Sequence, residues 1–178
     1  FTQGNGIEQD SYDGENIARY GDIVFCSVNH RLGALGFSDL AGAGGEKYRH
    51  SGNAGMLDIV AALKWIQANI ANFGGDPSNV TVMGQSGGGS KVCLLCAMPA
   101  AKGLFHKAVA LSGNTVKANN ADYAERLGNA ILHEAGLDTS QVSRFPGNNT
   151  WNWRTGRGSG WRPKTRAPEA DSLPWPTA

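Results

Sequence analysis

Apolar residues recur along this chain in two alternating rhythms. Residues 22–29, Asp-Ile-Val-Phe-Cys-Ser-Val-Asn, are near-continuously apolar at their centre and predict a strand covered on both faces. After a glycine-rich loop, Met56, Ile59, Leu63, Ile66 and Ile70 recur at steps of three and four, which marks one face of a helix. Asn53 is the expected N-cap of that helix, and Gly74 with Gly75 its stop. A strand over 80–83 follows, then a helical stretch over 90–96, then a strand over 107–111. A second amphipathic helix is expected from about Ala121, with Ala124, Leu127 and Ile131 inward and Gly136 at its C-terminal end. Strands joined by helical crossovers of this length run parallel, so the pattern predicts an α/β fold.

The chemistry concentrates where the strand over 80–83 gives way to the following helix. Gly84-Gln85-Ser86-Gly87-Gly88 occupies that junction, the strand, turn and helix setting of a nucleophile elbow in a serine hydrolase. Such a serine stands on so tight a turn that side chains two positions before and after it find no room, a demand Gly84 and Gly88 are expected to meet. The first helical turn presents unpaired N–H groups, and that of Gly87 is placed to hold the negative oxygen of a tetrahedral intermediate. Two other readings compete. One is a plain glycine-rich turn with a surface serine. The other is a phosphate-binding loop, but a P-loop carries lysine directly after its second glycine and then a hydroxyl, and Ser90 and Lys91 stand in the reverse order. It therefore ranks below the hydrolase.

The residues around the serine extend this reading. The run Phe73-Gly74-Gly75-Asp76-Pro77-Ser78-Asn79-Val80-Thr81-Val82-Met83 leading into Gly84 to Gly88 resembles the active-serine signature of the type B carboxylesterases, the family of para-nitrobenzyl esterases, fungal lipases and cholinesterases. Asn29-His30-Arg31-Leu32-Gly33-Ala34-Leu35-Gly36-Phe37, Gly52-Asn53-Ala54-Gly55-Met56-Leu57-Asp58 and Gly103-Leu104-Phe105-His106-Lys107-Ala108-Val109 agree in order and spacing, from Phe1 to about Arg144. The resemblance implies part of an α/β-hydrolase fold, a three-layer αβα sandwich with a mainly parallel sheet. It implies Ser86 as nucleophile, with the acid and the histidine further downstream than this chain reaches. In the family a run of glycines donating two oxyanion N–H groups precedes a phenylalanine that matches Phe1, so the chain is expected to be an internal fragment. Gln85 stands where most members carry glutamate. Ser112 matches a serine that supports the acid from behind the triad, with a strand-ending turn residue as the equal alternative. Arg31 and Asp58 match charges that read as structural partners.

Composition narrows the field further. A chain of 178 residues with 40% hydrophobic content suffices for one domain with a core, and a formal charge of +1 gives no sign of nucleic-acid or membrane-surface partners. The four histidines and three cysteines show no metal-ligand spacing, and neither a metal nor an organic cofactor is expected. Cys93 and Cys96, three apart on a helix, are read as buried against the sheet, and Cys26 as a small core residue. An odd cysteine count leans toward a reducing compartment, while the N-terminus leaves localisation open. Among the histidines, His106 precedes a strand, His133 falls in a final helical turn where the dipole favours a cation, and His30 and His50 precede the serine; none is expected to be the base.

From about Arg144 the chain changes character. Four of the five tryptophans and five of the seven prolines lie beyond it, without helical or strand period. The expected division is a partial catalytic domain over 1–143 and an irregular, non-native or disordered tail over 144–178, read as loss of the reading frame. A basic aromatic tail that stacks on single-stranded nucleic acid ranks far below. The expected activity is carboxylic ester hydrolysis on small-molecule esters through an acyl-serine, with this fragment inactive alone. A non-catalytic interaction protein or pseudogene product on the same fold is the competing class.

Overall fold

The computed structural model describes residues 1, 4, 6, 10–113, 115, 117–145, 151–152 and 157–158. Six α-helices and two strand pairs follow in order: α1 Glu15–Gly21, α2 Gly33–Phe37, α3 Ala41–Gly44, α4 Ala54–Asn69, β1 Thr81–Gln85, α5 Gly87–Ala97, β2 Lys107–Leu111, α6 Ala121–Glu134, β3 Trp151–Asn152 and β4 Arg157–Gly158. β1 and β2 pair in parallel, Thr81 opposite Lys107 through Gln85 opposite Leu111, with α5 as the crossover between them. β3 and β4 form a two-residue antiparallel pair. The division of the chain at 143 and 144 falls for the most part outside the described residues.

α4 forms where the apolar period placed it. Its buried Met56, Val60, Leu63 and Ile66 join Ile70, Leu95 and Ala101 in one core, against which Val80, Val82, Leu94 and Phe105 pack. Each such apolar side chain removed from water contributes about 1.5–3 kcal/mol. Asn53 occupies the N-cap position, yet its side chain makes no capping bond. At the other end Ile70–Phe73 tightens into a 3-10 turn, and Gly74, at φ 82°, reverses the chain, which a residue without Cβ does at little cost. The N-terminus of α4 touches the loop before α2 at backbone distance: a Cβ on Gly55 would stand 2.4 Å from the Arg31 carbonyl oxygen. There Asp58 accepts from Arg31 Nε at 2.8 Å and Nη2 at 2.7 Å, and from the Arg31 N–H at 2.9 Å. The matched charges are thus partners within the fold.

A second core lies apart, where Leu132 of α6, 2% exposed, meets Leu40, Val142 and Phe145. Asn120 caps α6 by accepting from the Tyr123 N–H at 2.8 Å, and Gly136, at φ 70°, ends it. The inward face differs from the periodic expectation. Ala124 and Ile131 are half-buried, but Leu127 is exposed and Gly128 takes the inner position. The reason is a close approach: a Cβ on Gly128 would lie 1.8 Å from the Asp39 carbonyl oxygen, so the helix docks through its one side-chain-free position and Leu127 turns out.

The run over 22–29 corrects the sequence reading most. It forms no strand, and Ile23, Val24 and Cys26 are exposed. A ladder exists only against a neighbouring strand, and an all-apolar strand also needs cover on both faces. Here the polar groups at its end turn to the N-terminal segment instead, where Asn29 Oδ1 accepts from the Gly6 N–H at 2.9 Å and Ser27 Oγ donates to the Gly6 carbonyl. The sheet shows the same lack of cover. Helices pack on the face that carries Val82, whereas Met83, 54% exposed, and its register partner Val109 stand on an open face with Leu111. Of the three expected layers, the described residues build two. Cys96 is likewise exposed rather than buried, because α5 turns Val92 and Leu95 into the core, and Cys93 is half-buried with its Sγ toward the Gly113 carbonyl.

The Arg31 guanidinium, donating hydrogen bonds to Asp58, holds that carboxyl below its ordinary value, and Arg31 is raised in return. A depressed folded value means the pair's contribution is fully present above the unfolded carboxylate range near pH ~4 and fades as pH falls through the lower folded value. With Arg31 half exposed, Asp58→Asn is expected to cost about 1 kcal/mol at neutral pH. In urea denaturation the gap between variant and parent should close as the pH is lowered below about 4.

Candidate functional site

Ser86 is the residue on which the β1–α5 junction turns. Its φ of 54° and ψ of −118° lie in a region that side-chain-bearing residues avoid, at a cost on the order of 1–3 kcal/mol. The surroundings enforce it. Its N–H donates to the Leu111 carbonyl at 2.8 Å, extending the parallel ladder by one bond, and its carbonyl accepts from the Ser90 N–H at 3.0 Å, which starts α5. Ser86 occupies the N-cap position of α5 but makes no capping bond through its side chain, so its hydroxyl stays available and solvent-exposed. The Gly87 N–H is the first of the helix, with no intrahelical acceptor by the geometry of helix ends.

The demand for glycine is distributed differently from the expectation. A Cβ on Gly84 would lie 2.4 Å from the backbone carbon and oxygen of Gly88, so strand and helix touch there at backbone contact. A Cβ on Gly88, by contrast, would meet nothing within 4 Å. The second constrained position is Gly113, whose Cβ would stand 2.1 Å from the Ser86 carbonyl oxygen and 2.6 Å from the Ser90 nitrogen. Gly89 faces the same crowding, with the Leu111 carbonyl oxygen 2.9 Å from its Cβ position. Sequence reasoning passed over Gly89 and Gly113. The available signal was a second glycine-containing turn, Leu111-Ser112-Gly113, just past the next strand.

Ser112 lies level with Ser86, one residue beyond the register pair Gln85 and Leu111, and also at positive φ, 50°. It is an exposed strand-ending turn residue, and its side chain makes no hydrogen bond to another described residue. Gln85 closes β1 on the exposed face. Among the described residues no histidine makes a hydrogen bond to Ser86. His106 accepts from the Val80 N–H through Nδ1 at 3.1 Å, His50 accepts from Arg49 Nε at 2.9 Å, and His133 stands in solvent with Glu134 4.0 Å away. His30 alone is sequestered, with a buried Nε2 that has no hydrogen-bond partner. Burial, then the nearby Lys91 charge, push its pKa down.

Lys91 is the second group that sequence reasoning placed poorly. It is 6% exposed, and its Nζ lies 4.5 Å from the centroid of the Phe1 ring, a cation–π contact that offsets part of the desolvation. Burial holds its pKa below the ordinary lysine range. The ammonium is engaged under the Phe1 ring and largely buried rather than presented in the Gly84 to Lys91 loop, which weighs against the phosphate-loop reading. No group of three or more His, Cys, Asp or Glu among the described residues is arranged to hold a metal ion. No helix among them is long and apolar enough to cross a membrane.

Residues 1–145 match the model of the Carboxylesterase family. The para-nitrobenzyl esterase of Bacillus subtilis is 44% identical over 145 residues, 82% of this chain and 29% of that protein. Human carboxylesterase 3 is 52% identical over 103 residues, covering 58% of this chain and 17% of its own length. Among solved structures, a thermophilic PNB esterase superposes with a TM-score of 0.74 at 44% identity, over 80% of this chain and 28% of that one. The carboxylesterase of Geobacillus stearothermophilus at pH 6.2 gives a TM-score of 0.76 at 39% identity, over 80% and 30%. The chain thus spans less than a third of the length of these relatives, and the fold it shares with them is part of the α/β-hydrolase fold.

The uneven glycine demand generates a contrast between two neighbours. Gly84→Ala, forced against the Gly88 backbone, should cost about 3 kcal/mol in urea denaturation. Gly88→Ala, with open space and a helical position, should be neutral or stabilising by up to about 1 kcal/mol. Equal destabilisation by both would contradict this geometry.

Proposed function

The chain belongs to the carboxylesterase family, and from that premise we propose that it carries the nucleophile of a carboxylic ester hydrolase, Ser86, which acts through an acyl-serine intermediate. One observation carries the reading: a serine held at φ 54° and ψ −118° between a parallel strand and a helix N-terminus, with its side chain making no capping bond and no hydrogen bond to another described residue. A structural serine at that place would cap the helix; the energy spent on this conformation serves to present the oxygen.

The reaction then runs as follows. The Ser86 oxygen bonds to the carbonyl carbon of a small-molecule ester while its proton passes to a histidine. The carbonyl electron pair moves onto the oxygen, which the Gly87 N–H receives. Collapse expels the alcohol, protonated by the same histidine, and leaves the acyl group on Ser86. Water attacks that ester in the second half, returning the acid and free serine. The four histidines described are engaged elsewhere or unattached to Ser86, which supports a base and an acid supplied by chain beyond these residues, and with it low activity of the 178-residue chain alone. In this reading Ser112 supports such an acid; its position level with Ser86 at the end of the neighbouring strand is consistent with that role, as it is with a strand-ending turn residue.

In the longer protein that carries this segment, a fluorophosphonate probe should label Ser86 and abolish turnover of para-nitrophenyl butyrate. Ser86→Ala should remove both labelling and turnover while leaving the thermal midpoint within a few degrees or raising it, since the strained nucleophile is a stability cost. Absence of labelling in the folded parent protein would favour the non-catalytic interaction reading instead.

A further inference from the structure

Lys91 breaks three local rules at once. It lies five residues past Ser86, in the N-terminal half of α5, where the helix dipole disfavours a cation. It is a buried residue, 6% exposed, although charged groups are seldom buried without a counter-charge. Among the described residues no carboxylate pairs with it, since the ion pairs present join Arg19 to Glu15, Arg31 to Asp58, Arg49 to Glu46 and His133 to Glu134. The neighbouring His30 adds no compensation, since its buried Nε2 is unpartnered. A residue that departs from packing, dipole and pairing preferences together belongs to a functional site more readily than to a core.

The geometry links this charge to the elbow. The Lys91 Nζ sits 4.5 Å from the Phe1 ring centroid, and the Phe1 ring also makes an edge contact with Phe37 at 5.0 Å. The Phe1 backbone nitrogen in turn stands 3.0 Å from the place a Cβ on Gly87 would occupy. Phe1 is therefore clamped between the ammonium and the turn that offers the Gly87 N–H. Resting on the ester-hydrolase reading above, we propose that Lys91 is a positioning residue for the oxyanion: its ammonium seats Phe1 against Gly87 and supplies a fixed positive charge behind the N–H that receives the substrate's carbonyl oxygen. Partly enclosed beside α5, that charge is screened less than in open water, and it favours the tetrahedral state, in which the oxygen is negative, over the neutral ester.

The test compares Lys91→Met and Lys91→Arg with the parent in the longer protein that carries this segment. Replacing a buried, unpaired charge by an apolar side chain of similar length tends to leave stability unchanged or raised. Lys91→Met should therefore melt at the same or a higher temperature. Its kcat on para-nitrophenyl butyrate should fall about tenfold with KM within about twofold, less than the loss from removing a direct oxyanion donor. Inhibition by a trifluoromethyl ketone, whose serine adduct bears the oxyanion, should weaken by the same factor, and Lys91→Arg should recover most of both. An unchanged kcat and inhibition constant in Lys91→Met overturns the proposal while leaving the ester-hydrolase reading intact. A lowered melting temperature with kcat lost and no recovery in Lys91→Arg overturns it in favour of packing alone. A parent protein without esterase activity or serine labelling overturns both readings together.

Discussion

The site rests on how closely three stretches of backbone approach one another. β1 arrives at Gly84, α5 leaves over Gly88 and Gly89, and the turn after β2 comes up beneath them at Gly113. Side chains at Gly84, Gly89 or Gly113 would hold these segments apart, and the Ser86 conformation would relax. The hydrogen bonds from the Ser86 N–H to Leu111 and from the Ser90 N–H to Ser86 exist only because the backbones meet at this distance. The strain at Ser86 is thus distributed over the surrounding sheet and helix rather than absorbed by one residue, which is how an unfavourable backbone conformation persists in a folded protein.

The sequence made the elbow legible because its demands are local. A strand, a tight turn and a helix each leave a pattern within a dozen residues, and the periods of α4, β1 and β2 agree with the structure to within a few positions. The misreadings arise where the outcome depends on distant neighbours. Residues 22–29 have every property of a buried strand except a partner, and pairing is not written in the run itself. Leu127 faces solvent because Gly128 docks on Asp39, a contact between positions far apart in sequence. Cys96 was placed by helical spacing alone, which fixes a face but does not say how far the cover over that face extends. Nothing in the residues beside Lys91 shows that Phe1 returns to cover it, so its burial is not legible in the sequence.

Charge is used sparingly and unevenly in this molecule. Arg31 and Asp58 form a forked pair at the edge of solvent, where desolvation is small and each hydrogen bond is retained. Lys91 and His30 are the reverse case, with polar atoms enclosed and poorly matched. The first pair ties the loop before α2 to α4 and so frames the core; the second lies between that loop and α5. The well-paired charges thus stand at the edge of solvent and the poorly matched ones are enclosed beside α5.

Among the described residues Met83, Val109 and Leu111 are exposed, and the sheet they share is two strands wide. Yet the hydrogen bonds and glycine approaches that hold Ser86 in its conformation join residues 84–113, a stretch short in sequence. The turn that holds Ser86 is thus built from contacts local in sequence, whereas among the described residues the apolar face beside it has no cover. An open apolar face on a narrow sheet is a surface that a further element or a second chain can pair with, so the serine turn and the cover over this face answer to different stretches of sequence.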